Sequence, residues 1–229
     1  MRLDQGCARA SGLGRKEIRD AIRRGEVTVD GIPEKKADRN VTGENTVCLR
    51  GEILDLREHV YFMLFKPSGT VSTTEDLPES VLKLFPVSLR KRLFCVGRLD
   101  KDTTGLLLLT DDGELDHHLM SPRHHAPKVY DVSLRDPLTF DAEAAVTRGV
   151  TLKDGDTTAP CTLERTGERT VRMTICEGKY HQVKRTFAAV GNEVVALHRS
   201  SVGGVALDPS LAPGQYRELT EDELSILRS

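Results

Sequence analysis

The sequence predicts an α+β fold in two parts, a small basic module over residues 1–57 and a larger domain over residues 60–229. Strands and helices are announced in irregular alternation, with no regular βαβ repeat. A short basic helix and a hairpin signal fill the first part. Leu54–His59 then joins the two without a Gly/Ser tract, so it reads as a short linker and not a long tether.

In the first part, Ile18, Ala21 and Ile22 fall at i, i+3 and i+4 and make one apolar stripe, predicting a helix over Arg15–Arg24. Arg15, Arg19 and Arg23 recur every four residues on another face, with Lys16 and Arg24 beside them. Gly25 stands where a left-handed C-cap belongs. Val27–Ile32 carries Asp30-Gly31, a hairpin signal.

In the second part, Tyr61–Phe65 reads as a buried strand ended by the turn Lys66-Pro67-Ser68-Gly69. Phe94–Val96 and the leucine run to Thr110 read as two more buried strands, the second closed by the turn Asp111-Asp112-Gly113. Val129–Leu134 and Val171–Ile175 alternate with period two, placing Tyr130, Val132 and Leu134 on one face. Val183, Phe187 and Val190 are spaced as a helical stripe, with Gly191 as C-cap. Thr220-x-x-Glu223 reads as a capping box opening a last helix.

Composition narrows the class. Apolar residues make up 38% and charged residues 30%, as in a soluble globular protein. No apolar run reaches the roughly 18 residues of a membrane span, and the N-terminus lacks an apolar signal core. A cytoplasmic protein without a membrane partner is expected. Cys7, Cys48, Cys95, Cys161 and Cys176 are odd in number and lack metal-ligand spacing, so they read as reduced thiols. The net charge of −2 argues against a generic nucleic-acid binder, yet residues 1–25 hold seven cations against three carboxylates. Cations at one-turn intervals suit a row of phosphates.

The most informative stretch is Gly97-Arg98-Leu99-Asp100-Lys101-Asp102-Thr103-Thr104-Gly105 followed by four leucines. It sets a carboxylate in a tight polar loop between two buried strands, a rigid place to present a reactive group. A lone Asp in a loop more often only caps its backbone; the length of the surrounding pattern reverses that reading.

This stretch resembles the signature loop of the pseudouridine synthases that act on ribosomal RNA, and is most similar to the small-subunit branch of that family. The resemblance extends over Phe65-Lys66-Pro67-Ser68-Gly69, Ser121-Pro122-Arg123-His124-His125, Lys128-Val129-Tyr130, Glu177 to Arg185, Leu197-His198-Arg199 and Val202-Gly203-Gly204. Phe65, Thr186 and Ser200-Ser201 depart from the residues usual at their positions. Residues 1–57 resemble the S4 RNA-binding module through Arg2-Leu3-Asp4, the basic helix and Val27–Gly31, with Gln5 where lysine is common. The resemblance implies an S4 (αL-type) domain followed by a mixed-sheet catalytic domain.

It also implies the chemistry. A uridine in 16S ribosomal RNA, or in the assembling small subunit, would be flipped out and its base detached, rotated and rejoined through C5. Asp100 is the essential carboxylate of the family's Arg-Leu-Asp; attack on C1′, addition to the base and abstraction of a sugar proton all stay open. A cation in the first turn of a helix opposes its dipole by roughly 0.3–1 kcal/mol, so Lys184 is better explained by a carboxylate opposite. The resemblance pairs it with Asp100. Arg185, about 100° around the helix, is the fallback, assigned to phosphate or to Asp102. Tyr130 is the aromatic expected to stack on the base. Arg98, Lys66, Leu197 and Arg185 are expected at the substrate, and Arg15, Lys16, Arg19 and Arg23 along the RNA.

The histidines show no i, i+4 pair or HExxH pattern, and Gly203-Gly204 lacks the flanks of a phosphate loop. No metal or cofactor is expected, and the chain is expected to act as a monomer. Two competing readings remain at this point: a 23S-directed synthase of the same family, and a non-catalytic S4-type RNA-binding or ribosome assembly factor.

Overall fold

The computed structural model describes residues 1–121, 124 and 126–229, which divide into two compact units. The first comprises Met1–Val60 together with Leu82–Phe94, and the second Tyr61–Val81 with Cys95–Ser229. Its contacts thus place Leu82–Phe94 with the first unit, although these residues follow the linker in sequence.

The first unit opens with α1 (Leu3–Ser11), to which the sequence analysis assigned no element, and α2 (Arg15–Arg24). Both end at glycines in the left-handed region, Gly12 and Gly25, which close the last turns on carbonyls of their own helices. Strands β1 (Val27–Val29), β2 (Ile32–Pro33), β3 (Val47–Leu49) and β4 (Glu52–Ile53) form a sheet in the order β2-β1-β3-β4. Asp30 and Gly31 both take positive φ, the backbone that a two-residue hairpin turn requires. A short helix, α3 (Val87–Arg90), packs on α1. Leu3, Ile18, Ile22, Val27 and Val47 are fully buried in the core between helices and sheet, and such side chains each gain about 1.5–3 kcal/mol on leaving water.

The second unit contains β5 (Tyr61–Lys66), β6 (Phe94–Val96), β7 (Thr104–Thr110), α4 (Gly113–Met120), β8 (Lys128–Leu134) and α5 (Phe140–Arg148). It continues with β9 (Thr162–Arg165), β10 (Thr170–Ile175), α6 (Gln182–Ala189), β11 (Val194–Val202), β12 (Val205–Ala206), β13 (Tyr216–Glu218) and α7 (Glu221–Arg228). The sheet runs β13-β5-β7-β11-β8-β10-β9, with β6 beside β7 and β12 beside β11. It is mixed: β11 runs parallel to β7 and antiparallel to β8. The leucines of β7 are buried on both faces, which explains a run without polar alternation.

Local signals locate most of these elements. The capping box of α7 is complete, with Thr220 and Glu223 each bonding the other's backbone. Asp111-Asp112-Gly113 is more than a turn: Asp112 Oδ1 accepts from the Glu114 and Leu115 amides at 3.0 and 3.1 Å, making Asp112 the N-cap of α4. The sequence analysis assigned no element to α5, whose apolar side chains are mostly half-exposed and make a weak stripe.

Candidate active site

The loop between β6 and β7 carries Asp100 and is fastened from two sides. Ser72 Oγ accepts from the Leu99 amide and donates to the Leu99 carbonyl, both at 3.1 Å. Lys66, at the end of β5, donates to the carbonyls of Thr103 at 2.8 Å, Pro67 at 3.1 Å and Lys101 at 3.2 Å. The Gly69 amide donates to Lys101 at 2.8 Å. The turn after β5 is thus the seat of the Asp100 loop. Lys66 was expected at the substrate; the structure corrects this, because the side chain is completely buried and its protons are directed at loop carbonyls.

Asp100 meets its partners across a large gap in sequence. Lys184 Nζ, on the first turn of α6, lies 3.1 Å from Asp100 Oδ2 and 2.5 Å from Asp102 Oδ1. Partial burial pushes the Lys184 pKa down, but the hydrogen bonds it donates to Asp102 and Asp100 outweigh it and leave the ammonium favoured. The salt bridge to Lys184 holds the Asp102 carboxyl below its usual range. His181 Nε2 approaches Asp100 Oδ1 at 3.3 Å. The sequence analysis found no signal for this contact.

Among the described residues, His181 is one of three non-glycine residues with positive φ, at φ 46° and ψ 36°, and is the N-cap of α6. A side chain in that region costs about 1 kcal/mol or more. The loop before it is held by Lys179, whose Nζ donates to Asp156 at 2.6 Å and Thr157 O at 2.9 Å. Gln182 Oε1 also accepts from the Lys179 amide at 3.0 Å.

A cavity of about 430 Å³ opens over Asp100, within the range of small-molecule sites. Sheet register supplies much of its wall. Tyr130 on β8 pairs with Arg199 on β11, and Lys128 with Ile175 on β10, so these side chains share one face of the sheet. Tyr130 and Leu197 are nearly buried in the wall, and exposed Arg98 stands at the rim. Arg199 is almost fully buried; its Nε donates to Leu106 O at 2.8 Å, while Nη2 has no partner among the described residues. Burial, with Arg199 nearby, lowers the Lys128 pKa. The period-two pattern that placed Tyr130 could also have placed Lys128, two residues earlier on the same face.

Arg185 does not reach Asp102, which Lys184 takes; it pairs with Asp154 and donates to Tyr180 O at 3.1 Å. Pro122, Arg123 and His125 of the Ser121–His125 motif lie outside the described residues; the His124 ring lies 4.2 Å from that of His118.

In the first unit, the arginine row of α2 stands on a buried acid. Arg19 Nε lies 2.9 Å and Arg15 Nη2 3.4 Å from Asp4 Oδ2, with Arg2 on the other oxygen at 3.1 Å. Burial raises the Asp4 carboxyl, but the hydrogen bonds from Arg2 and Arg19 dominate and bring it to about 2. Arg23 pairs with Asp20, and Lys16 is exposed.

Comparison with known proteins rests on the same elements. Residues 60–189 match the RNA pseudouridylate synthase family, and residues 1–47 match the S4 domain. The chain belongs to the RNA pseudouridylate synthase family. It is an enzyme of that class with an S4 domain at its N-terminal end. It is 46% identical to ribosomal small subunit pseudouridine synthase A of Salmonella typhimurium, over 98% of this chain and 99% of the relative. It is 44% identical to an uncharacterized RNA pseudouridine synthase of Bacillus subtilis, over 99% and 98%. A crystal structure of a pseudouridylate synthase, 43% identical, covers 99% of each chain with a TM-score of 0.72.

Proposed function

We propose that this enzyme converts one uridine of 16S ribosomal RNA to pseudouridine, with the nucleotide turned out of its stack and Asp100 as the essential carboxylate. The observation that carries this reading is the placement of Asp100 between Lys184 and His181 at a cavity walled by Tyr130 and Leu197. A base inside a helix cannot rotate about its own sugar, so the reaction calls for an extruded nucleotide. The C1′–N1 bond breaks, the base turns and a C1′–C5 bond forms. The C5 proton passes to solvent and N1 takes up a proton, so atoms and charge balance.

Asp100 acts at the sugar or the base, and Lys184 supplies its counter-charge. Tyr130 stacks on the base, and Leu197 closes the apolar side of the cavity. The S4 unit holds RNA along α2. The choice of small-subunit RNA is supported by relatives bearing that name at 45–46% identity over nearly the whole chain.

The test is tritium release from C5-labelled uridine in 16S and 23S transcripts. Wild type releases label from 16S RNA, and Asp100→Asn releases none while still binding RNA. Equal release by both proteins removes Asp100 from the mechanism. Release from 23S RNA alone moves the substrate to the large subunit.

A further inference from the structure

We infer that Tyr180 and His181 form a stacking platform for the nucleobase next to the target uridine, a subsite that rests on the function proposed above. Their rings are stacked, with centroids 3.8 Å apart and planes 20° from parallel. His181 is the inner ring and touches Asp100 through Nε2 at 3.3 Å. Tyr180 is the outer ring and is 70% exposed. Both line the rim of the cavity.

Phe140 is more open still, on α5; Tyr180 differs in standing at the cavity with its ring stacked on His181. It is also held still. Arg185 donates to the Tyr180 carbonyl and is anchored by Asp154, and Lys179 is tied to Asp156 and Thr157. His181 backs one face of the Tyr180 ring and leaves the other to solvent.

A rigid, solvent-facing aromatic plane suits the π-face of an unstacked base, which every nucleotide offers. Extruding a uridine takes a stacking partner from its neighbour. The target enters the cavity toward Asp100 and Tyr130, so a base resting outside on Tyr180 is the adjoining one. The platform replaces the stacking that the neighbour gives up.

Steady-state pseudouridylation by the full chain tests this, using transcripts with either the native base or an abasic nucleotide beside the mapped uridine. Tyr180→Ala raises KM about tenfold with kcat within twofold, in line with the cost of removing a stacking aromatic. Tyr180→Phe stays within twofold of wild type. An abasic neighbour costs wild type the same factor and costs Tyr180→Ala nothing further. An unchanged KM in Tyr180→Ala overturns the platform, and so does a Phe variant as weak as the Ala variant or equal sensitivity of wild type and Ala to the abasic site. If wild type modifies no transcript, the pseudouridylation reading fails separately. Quenching of 2-aminopurine in a single-stranded RNA by wild type but not Tyr180→Ala would then still uphold the platform, and equal quenching would overturn it.

Discussion

Lys66 holds a charge wholly out of water and aims its protons at the carbonyls of Pro67, Lys101 and Thr103. Burial draws its pKa down to about 8, against the opposing pull of Asp102 and Asp100. The folded state therefore releases the proton before the unfolded chain does. Stability rises as pH climbs from about 8 toward lysine's ordinary value, and below 8 the full cost of desolvating the ammonium is present. Lys66→Met abolishes this rise and leaves the loop carbonyls unmatched, at about 2 kcal/mol of stability. Its expected phenotype is a kcat about tenfold lower or worse with RNA affinity retained, because the Asp100 loop loses its anchor. Urea denaturation at pH 7 and pH 10, with single-turnover kinetics, checks both parts; a pH-dependent gain equal to wild type would refute the first. The motif Lys66-Pro67-Ser68-Gly69 was legible in the sequence, but the burial of its lysine was not, since a charged residue before a turn reads as exposed.

Among the elements, the crossing of β7 and β11 decides the shape of the site. Gly105 pairs with Arg199 in parallel register and has φ +108°. A Cβ there would lie 2.2 Å from the Arg199 carbonyl oxygen and 2.6 Å from its nitrogen, both rigid backbone. Gly105→Ala is expected to destabilise the protein by about 3 kcal/mol or more. Any folded fraction should have β11 displaced and Arg199 and Leu197 shifted in the cavity wall. Thermal melting, together with activity per folded molecule, measures the two effects; an unchanged melting temperature would show that the strands can separate cheaply. The sequence marked this glycine only as part of a motif. Its reason is a strand from 94 residues further on, which no local period reveals.

For the whole molecule, RNA affinity has to arise in a chain of net charge −2. The cations of α2 are not equivalent. Arg15 and Arg19 are partly committed to buried Asp4, whereas exposed Lys16 and Arg23 lean on no buried acid. Lys16→Gln with Arg23→Gln should weaken RNA binding and lower the slope of log Kd against log salt by about two, with no loss of stability. Arg15→Gln with Arg19→Gln should also destabilise the first unit by roughly 1–2 kcal/mol, because Asp4 keeps only Arg2. Salt titrations and melts of both double variants decide this, and an unchanged slope in the first would remove α2 from the RNA interface.

The sequence by itself determined the main strands, the capped helices and the position of Asp100 in the loop between two of those strands. The strands and helices rest on hydrogen bonds and apolar periods that close within a few residues, whereas the unit that takes in Leu82–Phe94 was visible only in the fold. The Lys184–Asp100 pair was expected from the resemblance, but only the tertiary structure decided that His181 joins it, that Lys66 turns inward, that Arg185 pairs with Asp154, and that Tyr180 faces solvent beside the cavity. Those outcomes depend on strand order, parallel register and the seating of α6 on the sheet. Such long-range contacts are set by burial of the whole core, and no short window of residues records them.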